Sequence, residues 1–428
     1  PSSVKAFRFV SWSFDEMKRK ASFYYAFDDG PSFLEEFEFH APDLQLSYER
    51  RKALKICLQH LYFVVGISYY KAAVPPEIII ENFDISEETA DFMEKLYLNG
   101  LGEFAYRNGL DLRDRIRFPF SALSHPKPSD LVLNRRTAVP LGGGKDSVVT
   151  MEILKSAGEP ITLFSLGDFG PIKEIAWKSK LPLITVSRRL SPTLLNLNSQ
   201  GALNGHVPIS AIIAFVLPVA AVLNDFDVAA LSNERSANVG NLAIDGFNVN
   251  HQYTKSYEFE KSVAQYFSRH MLTQFKYFSF LRPLSELSIA HLFSKYTSYH
   301  HLFTSCNSVF RICNEKRGGL WCLNCPKCRS TFLLLAPFIS KESLLSIFGV
   351  NLLDDQSQLE GYAELIGIKG HKPFECVGET EEYMGALSLL VNSPDWQNDF
   401  VVRHLVRLVP LIANNSSYLV NIAFNFSK

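Results

Sequence analysis

The chain has 428 residues, 47% of them apolar and 20% charged, with a net charge of −1. This is the balance of a globular protein long enough for two or three domains, and a charge so near zero argues against nucleic acid or anionic membrane surfaces as partners. The most apolar run, 209–223, is too short to span a bilayer and carries Ser210 and Pro218.

Aromatic-rich runs at 7–14, 22–27 and 33–39, separated by turn or polar segments, predict antiparallel strands. Helical periodicity follows over 48–71, and a second helix is expected over 87–107. A proline-rich connection, Pro119 to Pro128, reads as a boundary. From Thr137 the pattern becomes alternating strands and helices. Strands are expected at 137–141, 161–166, 183–186 and 228–231, with helices at 148–157, 172–180 and 209–223. Such alternation implies an α/β fold with a parallel, doubly wound sheet covered on both faces. Ligands in these folds bind beyond the C-terminal ends of the strands. Residues 142–147, 167–168 and 232–235 are therefore expected on one rim. The resulting division is an α+β N-terminal domain (1–118), a linker (119–136), a nucleotide-binding domain with a cysteine-rich metal site (137–335) and a helical C-terminal region (336–428). The N-terminal domain is expected, by elimination, to recognise substrate. The clearest helix of the last region is expected over 395–411.

The richest stretch is Val139-Pro140-Leu141-Gly142-Gly143-Gly144-Lys145-Asp146-Ser147. An apolar strand enters three glycines, and a helix follows. Consecutive glycines let backbone N–H groups approach an anion closely, and the helix N-terminus favours negative charge. Lys145 adds a cation, Ser147 a hydroxyl, and Asp146 an indirect handle on Mg²⁺. The expected ligand is a phosphate or pyrophosphate. A Walker A loop needs Ser or Thr after its Lys, and here Asp146 follows. The loop resembles instead the Ser-Gly-Gly-x-Asp-Ser loop of the PP-loop ATP pyrophosphatases, with Gly142 where that family usually has Ser. The resemblance implies a HUP/PP-loop-like domain that splits ATP between its α and β phosphates and adenylates a substrate oxygen.

Cys322, Cys325 and Cys328 lie on one short hook, with Cys306 and Cys313 upstream. Two-residue spacers let thiolates converge on one ion. Cys306 is the expected fourth ligand, with Cys313 as its rival. Zinc is the expected ion and a structural one, because four thiolates leave no open position; an iron–sulfur cluster uses similar spacing. The cluster resembles that of the 7-cyano-7-deazaguanine synthases, although the gap is longer here.

Three further segments are dense in polar groups. Asn233, Glu234, Arg235 and Asn238 follow a buried strand, where they can hold phosphate, ribose or carboxylate. His251, Tyr253 and Lys255 are candidate proton carriers, with Gln252 and Ser256 beside them as binding groups and His206 in reserve. Arg282 either faces the site or pairs with an acid. Taken with the loop and the cysteines, these segments resemble one PP-loop branch, the ATP-dependent UDP-N-acetylmuramoyl-L-alanyl-L-glutamate epimerases (MurL). That resemblance implies epimerisation of the terminal glutamate through an acyl-adenylate, in peptidoglycan precursor synthesis, with ATP, Mg²⁺ and structural Zn²⁺. The implied partners are ATP and a UDP-linked muramoyl dipeptide. Two other functions stay open: a different adenylating ligase, such as an amide or nitrile synthase, and a zinc-bearing interaction module without activity. A tRNA-thiolating role would need a basic surface, which the net charge does not favour. Seven cysteines, an odd number and mostly clustered, do not suit a secreted disulfide framework. No signal-peptide layout is expected, and the expected setting is cytoplasmic.

Overall fold

The structure is a computed structural model that describes residues 4–42, 45–124, 126–244, 246–310 and 319–408. Its centre is a nine-stranded sheet in the order β11-β8-β5-β6-β7-β3-β2-β1-β4. The N-terminal part supplies β1 (Ala6–Asp15), β2 (Lys20–Phe27), β3 (Ser32–Phe39) and β4 (Glu77–Ile80). The part from residue 137 supplies β5 (Thr137–Pro140), β6 (Ile161–Leu166), β7 (Leu183–Arg189), β8 (Val228–Leu231) and β11 (Lys276–Ser279). Strands β11, β8, β5, β6 and β7 are mutually parallel. β3 then pairs antiparallel with β7, Phe37 lying opposite Arg188, so the N-terminal strands extend the same sheet. A small antiparallel hairpin, β9 (Leu242–Ile244) and β10 (Phe247–Val249), stands apart.

Alternate residues of the central strands point to opposite faces, as the pleat requires. Ala138, Phe164, Ala229 and Leu231 join one apolar core, while Val139, Leu163 and Ala230 join the other. The first core is covered by α1 (Tyr48–Tyr70), α2 (Glu87–Gly100), α7 (Ile209–Asn224) and α8 (Tyr257–His270). The second is covered by α4 (Lys145–Ser156), α5 (Gly170–Ser179), α9 (Glu286–Phe293) and the C-terminal helices α10 (Pro326–Leu335), α11 (Lys341–Phe348), α12 (Leu359–Leu365), α13 (Thr380–Val391) and α14 (Phe400–Leu408). Two short helices, α3 (Gly102–Arg107) and α6 (Pro192–Ser199), lie between these layers' elements in sequence. Among the described residues, no helix is long and apolar enough to cross a membrane.

α1 presses closely on the sheet. Gly66 makes this contact, because a Cβ there would come 2.7 Å from the Phe9 ring and 2.9 Å from the Tyr97 hydroxyl. Tyr62 and Tyr69 stack on Tyr25, whose hydroxyl donates to the Tyr62 carbonyl at 2.7 Å. α7 is almost wholly apolar and buried, and each Leu, Ile, Val or Phe it withdraws from water contributes about 1.5–3 kcal/mol.

Most expected elements are present, with shifted ends. The helix expected over 87–107 is two helices, because Leu101 between Gly100 and Gly102 leaves helical geometry at φ −97° and ψ 9°. The helix expected from 148 starts at Lys145, immediately after the glycines. The helix expected over 395–411 is seen as Phe400–Leu408, and residues 409–411 lie outside the described residues. β4, α8, β11 and the β9–β10 hairpin had no counterpart in the sequence reading.

β6 and β7 lie on one side of β5, and β8 and β11 on the other. The chain therefore reverses its winding at β5, and a crevice opens beyond the C-terminal ends of β5 and β8.

Candidate active site

That crevice is a cavity of about 520 Å³. Gly142, Gly144, Asp146 and Ser147 line one wall, and Ser232 and Asn233 after β8 line the next. Gly143 has φ +81°, a conformation that favours glycine. Gly144 is the N-cap of α4 and caps it with no side chain, which leaves the first-turn N–H groups for a ligand. A Cβ on Gly142 would meet nothing within 4 Å, so the absence of a Ser side chain there is not imposed by crowding. Lys145 turns away from the cavity. It is 4% exposed and ion-paired with both Asp146 and Glu286. Asp146, Glu234 and Glu286 each bring a carboxylate oxygen within 4.8 Å of the others, and Asp146 is the member that lines the cavity.

Two polar atoms on the wall have no partner among the described residues. The Ser232 hydroxyl and Gln252 Oε1 are buried and unbonded, and both residues line the cavity. Buried polar atoms are costly without a partner, so these two point to a ligand.

The opposite wall carries the titratable groups. α3 turns at the glycine break so that Glu103 reaches His251, whose Nδ1 donates to Glu103 Oε2. The other Glu103 oxygen accepts from Arg107 Nε at 2.6 Å, and His206 Nδ1 lies 3.6 Å from Oε2. The rings of His206 and His251 are 4.5 Å apart. Lys255 Nζ donates to the Cys376 sulfur at 3.2 Å, and Cys376 is also hydrogen-bonded to His251. His206, His251, Lys255 and Cys376 all line the cavity.

The charges in this group support one another. Burial opposes ionisation of the Cys376 thiol, but Lys255, Lys327 and His251 outweigh it and bring the thiol down to about 5. Burial likewise works against a charged His251, and its bonds to Cys376 and Glu103 raise it to about 9. Lys255 is held above the usual lysine range by the Cys376 thiolate. His206 is pushed down to about 4 by burial and by His251, which leaves it neutral at pH 7.

The remaining sequence candidates have structural partners. Tyr253 is buried beside Phe259 in the core and does not line the cavity. Arg282 ties together three segments, bonding Glu260 in α8 at 2.6 Å and the carbonyls of Glu234 at 2.8 Å and Lys255 at 2.7 Å. Arg235 lies near Glu379 and Glu382. Asn238 accepts from the Tyr257 amide at 2.7 Å, and Ser256 caps α8. Asn233 donates to Ser279 at 2.9 Å.

Cys306, Cys322, Cys325 and Cys328 bring their sulfurs within 4.8 Å of one another. The spacings Cys306–Cys325, Cys322–Cys328 and Cys325–Cys328 are 4.0, 3.8 and 3.5 Å. A tetrahedron of zinc-bound thiolates has edges of about 3.8 Å, from a Zn–S bond of about 2.3 Å. The four residues fit such an ion. Cys313 lies outside the described residues. This cluster adjoins the glycine loop: the Thr304 amide donates to the Gly143 carbonyl at 2.8 Å, two residues before Cys306. The hook also carries Lys327 to the cavity wall.

Sequence reasoning missed Glu103, Lys327 and Cys376. Lys327 had a signal in its place inside the cysteine hook. Glu103 sits in an ordinary short helix and Cys376 is a lone cysteine, and neither carries a pattern of its own.

Family models match both parts of the chain, the MurL N-terminal domain over residues 1–280 and the MurL C-terminal domain over residues 302–418. A UDP-N-acetyl-alpha-D-muramoyl-L-alanyl-L-glutamate epimerase of Xanthomonas oryzae pv. oryzae is 43% identical over 404 residues, covering 94% of this chain and 90% of the relative. Proteins with the same name from Salinispora tropica and a Micromonospora species are each 40% identical, covering 95% of this chain and 89% and 91% of theirs. The chain therefore belongs to the MurL family.

Proposed function

We propose that the chain epimerises the terminal L-glutamate of UDP-N-acetylmuramoyl-L-alanyl-L-glutamate to D-glutamate in peptidoglycan precursor synthesis. In this reading it activates the glutamyl carboxylate as an acyl-adenylate with release of pyrophosphate, and water then hydrolyses the epimerised acyl-adenylate to release AMP. The relatives' names support the substrate and the epimerisation. One observation supports the route: a single cavity has a glycine loop at a helix N-terminus on one wall and proton-carrying side chains on the other. The winding reversal at β5 supports a PP-loop-like nucleotide-binding fold.

The chemistry follows from charge. A proton on the carbon beside a free carboxylate is barely acidic, because its removal adds a second negative charge. Adenylation removes the first charge, and the proton comes within reach of a side-chain base. Gly142, Gly143, Gly144 and the first amides of α4 would cradle the phosphates, with the Ser147 hydroxyl beside them. Lys255 and Lys327 bring positive charge to the cavity. Asp146 would hold Mg²⁺ through water, and that ion would neutralise phosphate charge when bound. Cys306, Cys322, Cys325 and Cys328 would hold a structural Zn²⁺ and so brace the segment that bonds to Gly143. Ser232 and Gln252 would spend their unpaired atoms on the ligand.

The test is incubation with ATP, Mg²⁺ and UDP-N-acetylmuramoyl-L-alanyl-L-glutamate. AMP, pyrophosphate and the D-glutamyl product should appear without ammonia or any amine. AMP without D-glutamate would indicate another adenylating enzyme, and neither product would remove the reading.

A further inference from the structure

We infer that Cys376 is one of the two proton carriers of the epimerisation, its thiolate taking the α-proton of the activated glutamyl residue. This rests on the adenylating-epimerase reading above. The inference begins from geometry. The Cys376 sulfur faces the cavity shared with the glycine loop, with Lys255 Nζ 3.2 Å away. His251 is bonded to the same sulfur and, through Nδ1, to Glu103. Arg107 anchors Glu103 in turn. The result is a half-buried thiol beside a lysine ammonium and an oriented imidazolium, the surroundings that make a cysteine reactive. Burial opposes the thiolate and these neighbours overcome it, so the sulfur is ionised at neutral pH.

In the step itself the Cα–H bond breaks and an S–H bond forms. The electron pair left on Cα spreads into the carbonyl of the adenylated carboxyl group. A second donor on the opposite face then delivers a proton to Cα, and the new C–H bond consumes the pair. The thiol gives its proton to water and the second donor regains one from water, so no oxidant or reductant is needed. Lys255 and His251 act as positioning residues that keep the sulfur ionised.

The test uses the full chain as Cys376→Ser and Cys376→Ala, with ATP, Mg²⁺ and the L-glutamyl substrate in deuterated water. Both variants should still release AMP. Formation of D-glutamate and of Cα-deuterated material should fall together by roughly 10²–10⁴-fold, the range for a lost general base. Peptide mapping of the wild-type chain should show Cys376 alkylated by iodoacetamide at a rate that levels off well below pH 7. Four results would overturn the inference: epimerisation near the wild-type rate in either variant, loss of AMP release in both with their thermal unfolding unchanged, alkylation of Cys376 that rises only above pH 8, or a substrate acyl group trapped on Cys376. The last would make the sulfur a nucleophile. A wild-type chain that releases no AMP would instead defeat the underlying reading.

Discussion

The Lys255 ammonium lies 3.2 Å from the Cys376 sulfur, although the two residues are 121 positions apart. The contact joins the short turn before α8 to the loop before α13, across the cavity that also receives the glycine loop. Each residue favours the charged form of the other. The cation holds the thiol down, and the thiolate holds the lysine up.

Lys255→Met removes the main cation beside that sulfur. The midpoint for alkylation of Cys376 should rise from about 5 toward an ordinary thiol value of roughly 8.5. Rates of iodoacetamide labelling at Cys376, measured by mass spectrometry across pH, check this. An unchanged midpoint would mean that Lys255 does not set the thiol's charge.

Glu103→Gln acts on the other side of the relay. The carboxylate helps hold His251 charged up to about pH 9. With a neutral amide in its place, the imidazolium is lost at a lower pH. The alkaline limb of kcat against pH should move down by about one to three units, while the acid limb moves less. A profile that only drops in height would assign Glu103 a purely structural role.

Asp146→Ala should reduce pyrophosphate release at least about a hundredfold, in line with the loss of a group that positions transferring phosphate. Lys145 keeps its pairing with Glu286 in this variant, so circular dichroism and thermal unfolding should change little. Retained ATP cleavage would contradict the assignment of the loop.

The unaltered chain should carry one zinc ion by plasma mass spectrometry, and Cys306→Ser should carry less. It should also lower the unfolding temperature, because metal binding of this kind is folding free energy, on the order of 10 kcal/mol in small zinc domains. Cys313→Ser should keep the ion, since four sulfurs already converge without it. The opposite result for the two variants would exchange their roles.

Gly66→Ala tests the fold rather than the chemistry. The added methyl meets the Phe9 ring at 2.7 Å, and overpacking of this kind costs typically 1–3 kcal/mol. Urea unfolding should show a lower midpoint with a similar slope.

Much of the scaffold was legible in the sequence because local rules govern it. Strands 161–166 and 228–231 were read with their observed bounds, since short apolar runs between turn signals have few other uses. The split between α2 and α3 was not foreseen. A single Leu101 between two glycines decides it, and glycine within a helical pattern costs only about 1 kcal/mol, too little to force a break by itself. The break matters, since it aims Glu103 at His251.

The amino-acid sequence by itself determined the glycine loop, its strand and helix, the converging cysteines and the polar segment around His251. Each is a contiguous pattern whose chemistry follows from spacing along the chain. Only the tertiary structure decided which groups share the cavity. Lys145, the loop's own cation, is turned inward to Asp146 and Glu286, while Lys255 and Lys327 bring charge from distant segments. Tyr253 goes to the core, and Cys376 and Glu103 meet His251 from opposite ends of the chain. The reason is physical. Hydrogen bonds and charge coupling depend on separation in space, and a nine-stranded sheet with both faces covered brings together residues more than a hundred positions apart.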